Sequence, residues 1–308
     1  MVPSAEFDSY YGRPVLKKPV WKSPDVPGYL FTGGLAGCSA VMAVLADLTR
    51  RRQLARVGRV AAGAGATVSV GALVHDLGRP ERFLNMLRVF KPTSPLSVGS
   101  WILAPFGTLA GAAAASEVTG WLPRAGRVAG AGAAVLGPPL TTYTAALLAD
   151  TAVPAWHEAY PELPFVFAGS GMQAAGGVGL VGTPTSQTTP ARRMAVLGSA
   201  LELAASQRIE HRLGLVGEPY RTGRAGRLLK LGRVVTGASV ALGVLGRRSR
   251  LASAVAGVGL MTSSAFTRFA IFDAGMTSAE DPMYTVVPQR ERLDGHTDGH
   301  TDGHRARR

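Results

Sequence analysis

Apolar residues fall into eight blocks that are separated by shorter polar segments. The blocks cover residues 27–48, 57–76, 97–118, 128–149, 164–184, 190–207, 228–246 and 251–272. About 20 apolar residues in a helix span the hydrocarbon core of a bilayer, which is about 30 Å thick. Barrel strands would alternate polar and apolar positions over about ten residues, and these blocks do not. The pattern therefore predicts an all-α integral membrane protein with about eight transmembrane helices in a bundle, a multi-pass protein of the cell membrane.

Polar segments flank the apolar blocks at both ends. We expect a polar lead segment at residues 1–26, a transmembrane helical domain at 27–273 and a polar tail at 274–308. The lead segment has no apolar centre, so we expect no cleavable signal peptide. The tail repeats an Asp-Gly-His-Thr unit, which predicts disorder. Loose metal binding is the alternative for its three histidines, His296, His300 and His304.

Composition supports a membrane protein and argues against nucleic-acid binding. The chain is 46% hydrophobic and 17% charged, with a mean hydropathy of +0.16. Soluble domains carry about 25% charged residues. The net charge is +13, but the basic residues are scattered between the apolar blocks rather than gathered in one segment. We therefore expect contacts with membrane lipid and no binding to nucleic acid.

Arginines are concentrated in or beside four short loops, which alternate with the longer connections and so lie on one side of the membrane. These arginines occupy positions within residues 50–56, 124–127, 192–193 and 247–250. The positive-inside rule would place that side in the cytoplasm. Because two of the longer connections and the lead segment are also basic, the orientation stays open.

The chain has few side chains that bind metals or haem. Cys38 is its one cysteine and lies inside the first apolar block. Of the six histidines, only His75 lies near a span, at its end. Iron–sulfur clusters need several cysteines, and a membrane cytochrome needs facing axial ligands. We therefore expect no metal site, no iron–sulfur cluster and no haem held by this chain.

The densest polar stretch follows the second apolar block and contains His75, Asp76 and Arg79. A histidine beside a carboxylate and arginines can exchange protons with a bound ligand near neutral pH. The alternative is an interfacial salt-bridged turn that fixes two helices.

Two residues inside the spans are further candidates. Tyr143 follows Pro138-Pro139, which should kink the fourth helix, and its hydroxyl would either meet a ligand carbonyl or serve helix packing. Glu202 lies inside the sixth block, where an ionisable side chain is costly and suggests a function. A proton-relay role and a structural hydrogen bond are both open for Glu202, and Arg268 is its candidate partner.

The chain has characteristic sequence stretches at residues 10–15, 27–37, 77–92, 94–101 and 143–148, together with Trp21. In these stretches it resembles the NrfD / polysulfide reductase membrane-subunit family, and the resemblance is strong over about residues 10–150. The Leu-Gly-Arg-Pro sequence that begins the third of these stretches, with its Ser-Pro continuation, is the most specific part.

The resemblance implies an eight-helix subunit that binds quinone, usually menaquinone, near one membrane face. It also implies a ferredoxin-like iron–sulfur subunit as the docking partner, connected to a molybdopterin catalytic subunit. His75, Asp76, Arg79 and Tyr143 are then the candidate cofactor-binding residues. Glu202 is the candidate catalytic residue, as a proton carrier.

Two other functions remain open at this point. In a transporter or ion channel, Glu202 and the Pro138-Pro139 kink would line the substrate path. Many transporters contain inverted repeats, and no clear internal repeat is present in this sequence. A purely structural membrane anchor is the third possibility.

Overall fold

The computed structural model describes residues 15–77, 81 and 85–292. Within these residues the chain forms eight long helices and no strand. The helices are α1 (Asp25–Leu48), α2 (Arg52–Asp76), α3 (Pro95–Thr119), α4 (Pro123–Ala149), α5 (Leu163–Gly182), α6 (Thr189–Arg212), α7 (Gly223–Leu245) and α8 (Arg250–Glu280). Shorter helical turns occupy Pro154–Glu158, Thr185–Gln187, Glu218–Arg221 and residues 283–292. The predicted all-α bundle is confirmed.

Six of the eight helices that the structure describes are long and apolar enough to cross a membrane; α4 and α6 are the other two. The α6 helix carries Arg192, Arg193 and Glu202, which lower its hydropathy. The sequence predicts this helix as the weakest span for the same reason. The α4 and α6 helices pack inside the same bundle as these six. Because several of its helices are able to cross the bilayer, the chain is a multi-pass membrane protein.

Several helices begin before the apolar blocks do. The α2 helix starts at Arg52, whereas the apolar block starts at residue 57. Arginine is a good helix former, and its long side chain reaches the headgroup region from a helix end, so a polar first turn stays helical. Prolines in the first turns of α3, α4, α5 and α6 mark the other starts, because the proline nitrogen lacks a proton that would go unpaired there.

Small residues let the helices approach closely. A Cβ atom at Gly37 of α1 would overlap the carbonyl of Gly137 of α4, and the reverse also holds. Gly177 of α5 and Gly257 of α8 face each other in the same way. Close backbone contact through small residues is the usual way in which transmembrane helices associate without a hydrophobic driving force.

The short loops 49–51, 120–122, 183–188 and 246–249 form one end of the bundle, called here the short-loop end. The backbone nitrogen of Gln53 donates to Gln187 Oε1 at 3.0 Å, and Arg250 Nη1 donates to the Leu180 carbonyl at 2.8 Å. Arg59 pairs with Glu117 at 2.6 Å and also with Asp47. These contacts join α1, α2, α3, α5 and α8 at one end, so the predicted grouping of the arginine loops is confirmed.

The longer connections form the opposite, long-connection end. Trp156 is fully buried there, and its Nε1 donates to the Ile271 carbonyl of α8 at 2.7 Å. Trp21 stacks on Trp156 with ring centroids 5.6 Å apart. Gly275 makes room for the indole, since a Cβ atom at that position would overlap it. The lead segment and the connection after α4 are thereby held against α8.

Candidate functional site

A cavity of about 490 Å³ lies at the long-connection end, beside Tyr143. Its walls come from the segment before α3, the first turns of α3, the last turns of α4 and the connection that follows α4. We call it the Tyr143 cavity. It is lined by Pro92, Thr93, Pro95, Val98, Tyr143, Ala146, Ala149, Asp150, His157 and Tyr160.

The position of the Tyr143 ring depends on a glycine in α3. A Cβ atom at Gly99 would overlap the ring, so only glycine leaves the space that the ring occupies. The segment before α3 is held by Ser97, whose hydroxyl donates to the Val89 carbonyl at 3.2 Å and accepts from the Lys91 nitrogen at 3.0 Å. The cavity wall and the tyrosine are therefore fixed by local contacts.

The Tyr143 cavity combines apolar walls with a few polar groups. The Tyr143 hydroxyl makes no hydrogen bond with any residue that the structure describes. His157 Nδ1 lies 2.9 Å from the Ala149 carbonyl, which can only accept, so Nδ1 carries the proton. The Nε2 atom of His157 is left for another partner. Such a site can donate a hydrogen bond to a carbonyl through Tyr143 and can exchange a proton through His157.

The structure places His75 and Asp76 at the same end of the bundle but outside the lining of this cavity. His75 Nδ1 lies 2.8 Å from Asp25 Oδ2 at the start of α1, and the imidazole is largely exposed. Asp76 Oδ1 accepts from the Lys22 backbone nitrogen at 3.1 Å. Both residues tie the end of α2 to the region where α1 begins. Arg79 lies outside the described residues, as do the histidines of the tail.

Glu202 lies near the middle of α6 and is buried. Its Oε1 accepts a hydrogen bond from Thr267 Oγ1 of α8, and its Oε2 has no partner among the described residues. The predicted partner, Arg268, instead donates from Nη2 to the Phe167 carbonyl at 2.7 Å and lies over the Phe167 ring. Gly34 of α1 leaves space for this guanidinium.

A chain of buried polar side chains continues from Thr267 through α5, α6, α7 and α8. Thr267 Oγ1 is 3.2 Å from the Ser263 carbonyl, and the Ser263 hydroxyl is 2.6 Å from that of Thr236. Gln173 donates to Thr236 at 3.2 Å and accepts from Ser199 at 3.2 Å. This network joins hydroxyl groups, which can both donate and accept, through the Ser263 carbonyl and the Gln173 amide. It therefore connects Glu202 to polar groups of four helices in the interior of the bundle.

Sequence reasoning identified Tyr143 but missed the other side chains around it. His157 lies in a connection, and Pro92, Thr93 and Pro95 lie in a polar segment, so no periodicity marks them. One sequence signal could have indicated His157. Pro154 is typical of the first position of a helix, and the short helix that it begins carries the aromatic Trp156 and the titratable His157.

Comparison with known families extends this description. A family model described as Polysulphide reductase, NrfD, matches residues 16–183, which is more than half of the chain. No curated protein matches the chain significantly. The matched region includes α1 to α5 and every residue that lines the Tyr143 cavity, and it ends before Glu202.

Proposed function

This chain belongs to the NrfD family of polysulphide reductase membrane subunits, and from that premise we propose that it exchanges electrons between menaquinone and a partner iron–sulfur subunit. Members of the family are quinone-interacting membrane subunits of oxidoreductases. We propose further that the quinone is menaquinone and that its binding site lies in this chain.

The observation that carries the proposal is Tyr143, which lines a mostly apolar cavity and whose hydroxyl has no partner among the described residues. Small-molecule sites are mostly apolar clefts with a few polar groups that fix orientation. Proline, valine and alanine side chains form the walls for a flat ring, and Tyr143 and His157 supply the polar groups. When bound, menaquinone supplies two-electron chemistry that is coupled to protons.

Each polar group in the cavity has a separate role in this proposal. Tyr143 donates a hydrogen bond that orients one quinone carbonyl. His157 Nε2 exchanges the proton that accompanies the electrons at that side. His75, Asp76 and Arg79 stay predicted quinone contacts; they lie at the start of the connection whose residues 92–95 form part of the cavity wall.

Glu202 is proposed as a proton carrier at one end of the chain of buried polar side chains. Three features support this role: the carboxyl group is buried, one of its oxygens has no described partner, and Thr267 joins it to Ser263 and Thr236. A buried carboxyl in a membrane span is costly unless it has such a function.

The partners follow from the family. Its membrane subunits typically assemble with iron–sulfur and molybdopterin subunits. We propose that the iron–sulfur subunit docks at the long-connection end, because the Tyr143 cavity lies there and electron transfer needs a short distance to the quinone. This chain would then bind the quinone and leave the metal cofactors to its partners.

The test is Tyr143→Phe in the full complex. Loss of the hydroxyl should lower quinone-linked turnover about tenfold or more by loss of one orienting hydrogen bond in the site, while the complex still assembles. Electron transfer to a short, soluble quinone analogue and retention of menaquinone are measured together.

The matched control is Tyr220→Phe at the same end of the bundle. The Tyr220 hydroxyl donates to the Ala155 carbonyl at 2.9 Å and lies outside the cavity. This variant should lose some thermal stability but keep its quinone kinetics. Equal turnover in the Tyr143→Phe variant and the unaltered protein would remove Tyr143 from the quinone site.

A further inference from the structure

A second cavity, of about 450 Å³, opens at the short-loop end, opposite the Tyr143 cavity. We call it the short-loop crevice. It lies between α1, α4, α5 and α6, with Cys38, Pro138 and Met172 at its depth and with Arg51 and Arg193 at its mouth. Neither the proposed quinone chemistry nor the family comparison assigns it a ligand.

The depth of the crevice suits hydrocarbon. The hydroxyls of Thr141 and Thr142 line the crevice, and they already donate to the Gly137 carbonyl at 2.9 Å and to the Pro138 carbonyl at 3.0 Å. Leu45 is 46% exposed and Leu197 is 63% exposed, so the crevice is open along the side that faces the lipid. No free donor is available at depth, among the described residues, for a carbonyl oxygen.

The mouth of the crevice suits an anion. Arg51 Nε is buried and has no hydrogen-bond partner among the described residues. Arg193 is exposed beside it and makes no ion pair with any residue in the described part of the chain. No acidic residue lines the crevice, and the nearest acid in sequence, Asp47, is paired with Arg59. The arginines therefore lack a counter-charge from the part of the protein that the structure describes.

The length of the crevice matches an acyl chain rather than a compact ligand. Thr49 and Cys38 both line it and lie eleven residues apart on and just beyond α1, which corresponds to about 16 Å along a helix axis. That length runs from the headgroup level to roughly the middle of a hydrocarbon core about 30 Å thick.

We propose that the short-loop crevice binds one acyl chain of a phospholipid with an anionic headgroup, whose phosphate lies between Arg51 and Arg193. The apolar walls select a hydrocarbon chain, and the two arginines select the negative headgroup. The bound lipid fills the gap between α4 and α6 beside Pro138.

The proposal is tested by native mass spectrometry of the purified full-length protein after delipidation. Dioleoyl-phosphatidylglycerol and dioleoyl-phosphatidylcholine are titrated separately. The structure predicts one tightly retained phosphatidylglycerol, bound about tenfold more tightly than phosphatidylcholine. The Arg51→Gln/Arg193→Gln double variant should abolish this preference.

Two further variants complete the test. Arg247→Gln/Arg248→Gln removes two arginines from the same end of the bundle but outside the crevice, and it should leave the preference unchanged. Ala168→Leu narrows the crevice and should weaken phosphatidylglycerol binding although both arginines remain.

Four outcomes would overturn the proposal. The first is equal retention of the two lipids, and the second is an unchanged preference in the Arg51→Gln/Arg193→Gln variant. The third is displacement of the bound lipid by inorganic phosphate alone. The fourth is displacement of the bound lipid by menaquinone in the unaltered protein but not in the Ala168→Leu variant. The third outcome would indicate a simple phosphate site, and the fourth a second quinone site. The proposed quinone function is tested separately, by the turnover of the Tyr143→Phe variant. A negative result for lipid binding would therefore leave that function untouched.

Discussion

At the scale of single residues, ionisable side chains are buried inside the bundle. Glu202 and Arg268 both lie in the interior, yet each is hydrogen-bonded to a different group. Arg268 donates to the Phe167 carbonyl and lies on its ring, which stabilises the cation inside the bundle although it forms no ion pair with a described residue. Glu202 is left with an oxygen that can take up a proton.

Glu202→Gln separates the two open roles of this residue. The amide keeps the size of the side chain and can still accept from Thr267, but it cannot carry a proton. If Glu202 relays protons, proton-coupled turnover should fall about 10²-fold, with thermal stability nearly unchanged. Two quantities are measured in membrane vesicles: the turnover rate with a quinol analogue and the number of protons taken up or released per turnover.

Thr267→Ser is the control for Glu202→Gln, because serine retains the hydroxyl that donates to the carboxyl group. Turnover in that variant should remain close to the original value. If Glu202→Gln turns over normally, Glu202 is a structural hydrogen-bond acceptor.

Glu162 gives a prediction for the pH dependence of stability. It lies in the connection before α5, and its side chain is only 6% exposed. Burial raises the pKa of the Glu162 carboxyl, but hydrogen bonds and charge from Arg212 at 2.7 Å and Arg208 at 3.2 Å outweigh this, and its pKa is lowered overall. The stabilisation is therefore complete above the pKa of the unfolded chain and is lost as the pH falls through the folded-state pKa, below about pH 5.

Glu162→Gln should lower the free energy of unfolding by about 2 kcal/mol at neutral pH and by much less in acid. Thermal melts in detergent over a pH series measure this difference. Glu158→Gln is the comparison, since the Glu158 side chain is 36% exposed and pairs with Arg292 at the surface. A Glu162→Gln deficit that stays constant down to pH 3 would contradict the ion-pair explanation.

At the scale of elements, the contact between α3 and α4 determines the shape of the Tyr143 cavity. The α4 helix brings Tyr143 against α3, and the ring fits there because residue 99 has no side chain. A methyl group at that position must push the ring from its place. Misplacement of a binding group by about 1 Å can lower turnover about 10²-fold.

Gly99→Ala should therefore reduce quinone-linked turnover by about tenfold or more while α3 remains helical. Gly107→Ala on the same helix is the matched control, because a Cβ atom at Gly107 meets nothing within 4 Å. Alanine favours a helix interior over glycine by about 1 kcal/mol, so the control should be at least as stable as the original protein. Equal turnover in both variants would show that the ring position is unimportant.

The helices could be predicted from the sequence, but the cavity could not be. Blocks of apolar residues are sufficient to predict spans, because the bilayer imposes the helix on each block independently of the others. The cavity wall brings together residues that are distant in sequence, such as Pro92, Tyr143 and His157. Asp25 as the partner of His75 is a further example, since 50 positions separate the two residues. Neither arrangement leaves a periodic signal in the sequence.

At the scale of the whole molecule, the two ends of the bundle differ in chemistry. The long-connection end has the Tyr143 cavity, buried aromatic contacts and the Glu162 ion pairs. The short-loop end has arginine-rich turns and an apolar crevice that opens toward lipid. This division suits a subunit that meets a protein partner at one face and anionic lipid at the other.

Purification of the assembled protein tests the function at this scale. The chain should require detergent, copurify with an iron–sulfur and a molybdopterin subunit, and retain menaquinone. The chain expressed without its partners should show no haem Soret band, because the sequence offers no facing pair of intramembrane axial histidines. A strong haem spectrum from the chain alone would contradict the prediction that this chain lacks haem ligands. Turnover in a preparation that contains no menaquinone would exclude menaquinone as the reactant.

The packing of Trp156 has a consequence for how a ligand enters the Tyr143 cavity. The indole packs between α8 and Trp21, and the short helix that contains Trp156 also contains His157, which lines the cavity. We therefore expect this wall to move together with α8 rather than as a separate loop. A long-tailed ligand would then reach the Tyr143 ring from the plane of the bilayer, and the rate of its exchange should follow lipid fluidity rather than local unfolding of the connection.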